Sequence, residues 1–168
     1  MMSELTQVLG RIDRDGDEVV VVFDRHYATA PDDLWRACTE PDRLARWFAP
    51  VAGDLSQGGE FTIHFDDGDV PRCRILTCER PTRLVWEWPI GGVRTVVTVE
   101  VGADGEGSRL VLRHARLTDG QVAGYAAGWD TYVRALDAHV DGTPAPDWGA
   151  TWSALHELYS DSSGPGIP

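Results

Sequence analysis

Short stretches of β-branched and aromatic residues recur along most of the chain, and this pattern predicts a sheet. Residues 19–27 favour a strand over a helix because the run is short and rich in valine. From residue 50 to residue 115, alternating segments separated by Gly, Asp and Pro turns predict an antiparallel meander with one buried face. Together with a short piece at 51–55, about seven strands are expected. The meander segments are 60–65, 72–78, 83–88, 93–101 and 109–114.

Two short helices are predicted directly after the first strand. Pro31 and Pro41 each stand where the first turn of a helix tolerates proline. Apolar residues follow each proline at helical spacing, and helices this short must pack against something larger. The apolar sides consist of Leu34, Trp35 and Cys38 in the first helix and of Leu44, Trp47 and Phe48 in the second.

A long helix is predicted over residues 118–140. Thr118 and Gln121 fit a capping box at its start, apolar residues recur at intervals of three and four, and Gly142 ends it. Glycines at 120, 124 and 128 weaken the helix, and we expect them to permit close approach to the sheet.

Another amphipathic helix is predicted at 147–160, where Trp148, Trp152, Leu155 and Tyr159 recur at helical spacing. Its apolar side is too large to be left in water, so it should either cover the main body or form a subunit interface. We therefore expect a single domain at 19–142. An N-terminal extension at 1–18 precedes it, and an extension at 143–168 follows, with the helix and a flexible tail.

Charge and cysteine content narrow the function classes. With 27 acidic and 15 basic residues the net charge is −12, which disfavours nucleic acid and anionic membrane surfaces as partners. Three cysteines are an odd number in a chain too long to depend on disulfides, so we expect a reduced, cytoplasmic protein. The sequence contains neither a signal-peptide pattern nor an apolar run that approaches a membrane span.

No catalytic or metal-binding signature is found. His156 and Glu157 begin like a zinc-protease motif, but Ser160 stands where the second histidine must be. Cys73 and Cys78 are five residues apart on one predicted strand, so we expect them on opposite faces. The Asp-Asp-Gly-Asp run at 66–69 lacks the spacing of a calcium loop and indicates a hairpin turn. We therefore predict no catalytic residue, no metal and no cofactor.

Several local sequence motifs resemble those of one protein family. Residues 30–50 contain Ala-Pro, Leu-Trp, Thr-Glu-Pro-Asp and Trp-Phe in order, and segments 80–84, 108–114 and 128–136 agree with the same pattern. The chain from about 19 to 140 thus resembles the activator of heat-shock protein 90 ATPase homologue-like family, within the START-like superfamily. The resemblance implies an α+β helix-grip fold, in which a curved antiparallel sheet wraps around a long C-terminal helix.

The resemblance implies a range of activities. Members of the superfamily bind hydrophobic or amphipathic small molecules, some cyclise or dehydrate polyketides, and the namesake stimulates a chaperone. About eighteen residues precede the first predicted strand, so we do not expect chaperone activation here. The first hypothesis is a protein that binds a hydrophobic or amphipathic small molecule between sheet and long helix. The alternatives are a polyketide cyclase- or dehydratase-like enzyme and a co-chaperone-like interaction module, with a homodimer through the last helix as a further expectation.

Aromatic residues are the candidate cavity lining. Trp86 and Trp88 project to one face of their strand, and His114 shares a face with Leu110 and Leu112, which points it inward. Plain core packing is an alternative explanation for the same residues. The enzyme hypothesis would use four polar residues as general acids or bases: His114, Tyr125, Tyr132 and His64. The candidate ligand-binding residues are Trp35, Trp47, Phe48, Trp86, Trp88, His114, Tyr125, Trp129 and Tyr132.

Overall fold

A computed structural model describes residues 9–162 of the protein, and these residues form eight strands and four helices. The strands are β1 (Arg11–Asp15), β2 (Glu18–Tyr27), β3 (Val51–Gly53), β4 (Glu60–Ile63), β5 (Arg72–Glu79), β6 (Arg83–Ile90), β7 (Val93–Asp104) and β8 (Gly107–Leu117). The helices are α1 (Pro31–Thr39), α2 (Pro41–Trp47), α3 (Asp119–Asp141) and α4 (Trp148–Ser162).

All strands belong to one antiparallel sheet in the order β1-β2-β8-β7-β6-β5-β4-β3. The chain runs as a meander from β3 to β8 and then returns beside β2, so the first predicted strand lies next to the last. This arrangement confirms the predicted helix-grip fold. The structure adds β1, which forms inside the predicted N-terminal extension and pairs with β2 from Arg11 opposite Val22 to Asp15 opposite Glu18.

The core lies between one face of the sheet and α3. Along β7, Thr95, Val97, Val99 and Val101 are buried, as the two-residue period of a strand requires. The facing side of α3 buries residues at intervals of three and four and contacts β2. The buried residues of α3 are Val122, Ala126, Ala127, Trp129, Asp130, Thr131, Val133, Ala135, Leu136 and Ala138.

The ends of α3 are as the sequence predicts. The backbone N–H of Thr118 donates to the side-chain oxygen of Gln121 at 3.0 Å. Gly142 adopts φ 71° and its N–H bonds to the carbonyl of Ala138, which is the left-handed ending that glycine accepts without strain.

Two glycines of α3 face α4, not the sheet, which corrects the prediction. The Trp152 indole N–H donates to the carbonyl of Gly124 at 3.3 Å. A Cβ atom on Gly128 would lie 3.9 Å from the same indole nitrogen. These glycines therefore make room beside the last helix.

Helix α4 packs against the main body of the protein, which its side chains contact through buried groups. Leu155 and Tyr159 are buried, and the Tyr159 hydroxyl donates to Oδ2 of the buried Asp130 at 2.6 Å while accepting the backbone N–H of Gly10 at 2.7 Å. Asp130 also accepts Nε of Arg134 at 2.8 Å. The apolar side of α4 thus covers the main body, which is one of the two expectations for it.

A β-bulge changes the face of one cysteine. Ile75 pairs with Trp86 and Cys78 pairs with Leu84. Between these two pairs β5 has two residues, 76 and 77, where β6 has one, Val85. Cys78 consequently lies on the same face as Cys73, and the prediction that the two face opposite sides is wrong. All three cysteines are free thiols.

None of the helices within residues 9–162 is long and apolar enough to cross a membrane.

Candidate functional site: an aromatic cleft beside the last helix

An aromatic cleft opens where α2, the β4–β5 turn, α3 and the start of α4 meet. It consists of two adjoining lobes with volumes of about 360 Å³ and about 170 Å³. We call the larger one the α2 lobe and the smaller one the α4 lobe. Four residues border both lobes and so mark their junction: Phe65, Asp67, Tyr132 and Trp148.

The α2 lobe lies at the end of α2. Beyond the junction residues, its walls come from Ala45 and Phe48 on one side and from His64 and Asp66 on the other. Phe48 follows the last turn of α2, and His64 follows β4 directly. The lobe therefore lies between a helix end and a strand end.

The α4 lobe lies between the sheet and α3. Trp88 from β6 and Trp129 from α3 border it, and Trp152 closes it from the side of α4. Gly124 and Gly128 also border this lobe. Because neither glycine carries a Cβ atom, no side chain of α3 fills the space beside Trp152 at these two positions.

Stacked and edge-on rings form the cleft walls. Phe48 stacks on Trp129 with centroids 5.4 Å apart and an interplanar angle of 4°, and it meets Tyr132 edge-on at 4.9 Å. Tyr132 in turn lies 5.6 Å from the Trp148 ring. Trp148 is 42% exposed, so this wall is accessible from solvent.

A tight turn carries carboxylates to the rim of the cleft. The backbone N–H of Phe65 donates to the carbonyl of Asp69 at 3.1 Å, and Asp67 Oδ1 accepts the N–H of Asp69 at 2.9 Å. Gly68 adopts φ 91°, a conformation that glycine supplies. The turn holds the side chains of Asp66, Asp67 and Asp69 exposed beside the aromatic walls.

Four of the predicted residues pack together behind the cleft, and we call them the interior cluster: Trp86, Trp88, His114 and Trp129. Trp88 stacks on Trp86 at 5.7 Å and on His114 at 5.1 Å, with interplanar angles of 20° and 16°. Trp88 and Trp129 also present an edge to the α4 lobe, whereas Trp86 and His114 do not border either lobe. Core packing thus accounts for Trp86 and His114.

His114 is fixed as a neutral ring. Trp129 Nε1–H donates to its Nδ1 at 2.9 Å, so Nδ1 carries no proton and Nε2–H donates to the Thr95 hydroxyl at 2.8 Å. Thr95 donates onward to the carbonyl of Trp88 at 2.6 Å. Burial lowers the pKa of His114 from 6.5 to about 3. With both nitrogens occupied, His114 serves structure and offers no free position for acid or base catalysis.

The cleft tyrosines are poor acids. Burial raises the pKa of Tyr132 to about 12, with a further contribution from the nearby Asp66 and Asp67 carboxylates. Burial also raises the pKa of Tyr125, as do Asp69 and Asp67. Both hydroxyls therefore stay protonated at neutral pH and can donate a hydrogen bond to a ligand.

The structure brings five predicted residues to the cleft and leaves four elsewhere. Phe48 borders the α2 lobe, Tyr132 borders both lobes, and three residues border the α4 lobe: Trp88, Tyr125 and Trp129. Trp35 and Trp47 lie in the core beneath α1 and α2, where Trp47 Nε1–H donates to the carbonyl of Ala37 at 2.8 Å. With Trp86 and His114 they lie outside both lobes.

Sequence reasoning missed other cleft residues. The sequence pattern places Phe65 at the end of a strand, the aspartates in a turn, and Trp148 and Trp152 in a helix outside the candidate cavity lining. For Phe65 a usable signal is present, because an aromatic residue beside a tight acidic turn lies at the end of a strand, where a cleft can open. Within residues 9–162, no group of three His, Cys, Asp or Glu side chains is arranged to hold a metal ion.

Solved structures with the same fold come from several bacteria. The crystal structure of CalU16 from Micromonospora echinospora is 27% identical, superposes with a TM-score of 0.76, and the match covers 93% of this chain and 95% of that one. MLL2253 from Mesorhizobium loti is 26% identical with a TM-score of 0.69, over 74% of this chain and 98% of that one.

DynU16, described as a protein of the dynemicin biosynthetic locus, is 25% identical with a TM-score of 0.70. That match covers 79% of this chain but 51% of DynU16. The sequence has no significant match among curated proteins.

The family model described as Activator of Hsp90 ATPase homolog 1-like protein matches residues 28–141, which span α1 through α3 and include six of the eight strands, β3 to β8. The matched region contains the helix pair, the strands from β3 to β8 and the long helix, and so includes α2, β6 and α3, which border the cleft. The chain therefore belongs to the Activator of Hsp90 ATPase homolog 1-like family.

Proposed function

We propose that the protein binds a hydrophobic or amphipathic small molecule in the aromatic cleft. The observation that carries the proposal is the open space at the junction of the two lobes, which Phe65, Tyr132 and Trp148 border with their aromatic rings. Ligand sites are concave and mostly apolar, with a few polar groups that orient the ligand. Here the polar groups are the protonated Tyr132 hydroxyl and the aspartates of the turn.

Substitution of Trp148 tests this site without touching the core. We expect Trp148→Ala to weaken binding of a neutral naphthalene probe about 3- to 10-fold, because one aromatic contact contributes about 0.5–1.5 kcal/mol. Val93→Ala is a matched control, since Val93 is 45% exposed and outside both lobes. Fluorescence titration gives both dissociation constants, and equal losses in the two variants would contradict the proposal.

Native mass spectrometry of freshly purified protein identifies the natural occupant. We expect a retained small molecule in the wild type and less of it in Trp148→Ala. The same spectra give the subunit count, which tests the proposed homodimer.

A second candidate is a cyclase- or dehydratase-like enzyme, which is favoured by the similarity to a protein of a biosynthetic locus. His114 does not suit the role, because both ring nitrogens are hydrogen-bonded. The other residues that the enzyme hypothesis uses as acids or bases, His64, Tyr125 and Tyr132, do border the cleft. If the protein acts on its ligand, His64→Gln or Tyr132→Phe should retain a molecule of different mass from the wild type. Identical masses would speak for binding alone.

We further infer a reducing compartment, the cytoplasm, from the three free thiols. Two of them, Cys38 and Cys73, are buried, and burial raises the pKa of each to about 12. Such thiols are inert and fit core positions.

A further inference from the structure

The cleft is lined mainly by acidic and aromatic groups. Asp66 and Asp67 border the α2 lobe, and Asp67 and Asp69 border the α4 lobe. Among residues 9–162, no arginine lines either lobe, and no ion pair involves these three carboxylates. The one histidine of the lining, His64, contacts the Thr62 hydroxyl at 3.0 Å and forms no ion pair with a carboxylate of the rim.

Some other acidic groups of the protein do have an arginine partner. Asp24 pairs with Arg109, Asp33 with Arg43, and the buried Asp130 with Arg134.

The walls behind the carboxylates have the geometry that attracts a cation. Phe65, Tyr132 and Trp148 border the junction, and Phe48 of the α2 lobe is edge-on to both Phe65 at 5.9 Å and Tyr132 at 4.9 Å. Aromatic faces attract ammonium groups within about 6 Å of the ring centroid. Low-dielectric walls beside charges of one sign also focus the field inside a cleft.

We propose that the ligand of the cleft is an amphipathic amine, with a flat apolar body against the aromatic walls and a positively charged nitrogen at the junction, facing Asp67. This proposal rests on the proposed function and names the chemical class of the ligand. A ligand whose charged group is a carboxylate or a phosphate is disfavoured, because it would meet Asp66, Asp67 and Asp69 with no arginine in the lining to pair with.

Three probes that share a naphthalene ring test the charge. They carry a methylene-trimethylammonium group, a hydroxymethyl group or a sulfonate. At low salt we expect the cation to bind about 10-fold more tightly than the neutral probe and the sulfonate to bind most weakly. Raising the salt from about 0.01 M to about 1 M shortens the Debye length from about 30 Å to about 3 Å, so most of the cation's advantage should be lost.

A triple variant, Asp66→Asn with Asp67→Asn and Asp69→Asn, removes the charge with little change of shape. The amide oxygen of Asn at position 67 can still accept the backbone N–H at position 69. We expect the cation's advantage over the neutral probe to disappear, while the neutral probe binds as before and so reports an intact fold. Asp17→Asn is the control, since Asp17 is exposed in the β1–β2 turn at the opposite edge of the sheet.

The possible outcomes separate the two proposals. A cation advantage that persists in the triple variant, or equal binding of all three probes to the wild type, would overturn the amine and leave the aromatic site standing. No binding of any probe would overturn both proposals. A cation advantage in the wild type and in Asp17→Asn that is absent from the triple variant supports both.

Discussion

The interior cluster and the cleft consist of the same residue types, yet their surroundings differ. Trp86, Trp88, His114 and Trp129 are at most 6% exposed, and the ring nitrogens of His114 and Trp129 are hydrogen-bonded to each other and to Thr95. Of the cleft rings, Phe48, Phe65 and Tyr132 are half-buried and Trp148 is exposed, and all four border the open space of the α2 lobe. Aromatic content thus does not by itself mark a ligand site, because what matters is whether the second face of a ring is covered.

The comparison also separates stability from binding. Residues whose rings are enclosed should affect the free energy of unfolding, and residues at the cleft should affect affinity. Trp129 belongs to both groups, because its indole N–H reaches His114 while its ring borders the α4 lobe.

The largest effect is expected for Trp129→Ala. Truncation of a buried Trp costs about 3–5 kcal/mol, and here it also leaves Nδ1 of His114 without its donor. Urea denaturation measures the loss. Trp148→Ala is the comparison at the cleft, where we expect less than about 1 kcal/mol because the ring is half exposed. Similar losses for the two variants would erase the distinction between interior cluster and cleft.

Removal of one hydroxyl tests how α4 is held. We expect Tyr159→Phe to lower the free energy of unfolding by about 1.5–3 kcal/mol, because a buried carboxylate loses a donor and the Gly10 N–H loses its acceptor. Tyr132→Phe is the control, since no hydrogen bond of its hydroxyl is found within residues 9–162. A loss no larger than that of the control would show that α4 is held by apolar contacts alone.

His114 should make the free energy of unfolding depend on pH, with a change of similar size. Its pKa is about 3 in the folded protein and about 6.5 when unfolded, so the unfolded chain binds a proton first as the pH falls. The contribution of His114 to the free energy of unfolding is therefore fully present above about pH 6.5. The free energy of unfolding decreases by about 2 kcal/mol on going to pH 5. Urea denaturation at several pH values measures this slope.

The non-titrating variant His114→Gln should be less stable at neutral pH but should lose the slope between pH 6.5 and pH 5. His64→Gln, at an exposed position, should keep it. A wild-type slope that survives in His114→Gln would mean that other groups take up the protons.

The smallest effect has the opposite sign. Gly124→Ala with Gly128→Ala should raise the free energy of unfolding by up to about 1 kcal/mol per site, because alanine favours the helix. A Cβ atom fits at both positions, with Trp152 Nε1 at 3.9 Å from position 128 as the sole neighbour within 4 Å. The same methyl groups enter the α4 lobe, so probe binding should weaken while stability rises.

Gly120→Ala is the matched control in the same helix, since Gly120 borders neither lobe. It should leave probe binding unchanged. If the double variant also binds the probe as the wild type does, the α4 lobe takes no part in binding.

Local patterns predicted most of the fold. Strand alternation placed Trp86, Trp88 and His114 inward, and the capping box and Gly142 gave the ends of α3. Strand β1 was missed because its five residues, Arg-Ile-Asp-Arg-Asp, contain a single apolar side chain and depend on pairing with β2. The bulge in β5 was missed although Ile75 and Leu76, two apolar residues in a row, interrupt the alternation there, because only the pairing with β6 defines the shift.

The cleft could be predicted only in part. The faces of Tyr125, Trp129 and Tyr132 follow from helical spacing, but the position of α4 above them depends on contacts of Leu155 and Tyr159 that are distant in sequence. Trp148 and Trp152 therefore could not be assigned to the cleft from the pattern of their own helix.

The most direct test is an NMR titration of the indole N–H groups with the neutral naphthalene probe, the signals assigned by single Trp→Phe variants. If the ligand binds in the cleft, the signals of Trp148 and Trp152 shift most, while Trp47, whose N–H is bonded to Ala37 in the core, stays in place. Shifts concentrated on Trp35, Trp47 and Trp86, with Trp148 and Trp152 unmoved, would contradict the central claim.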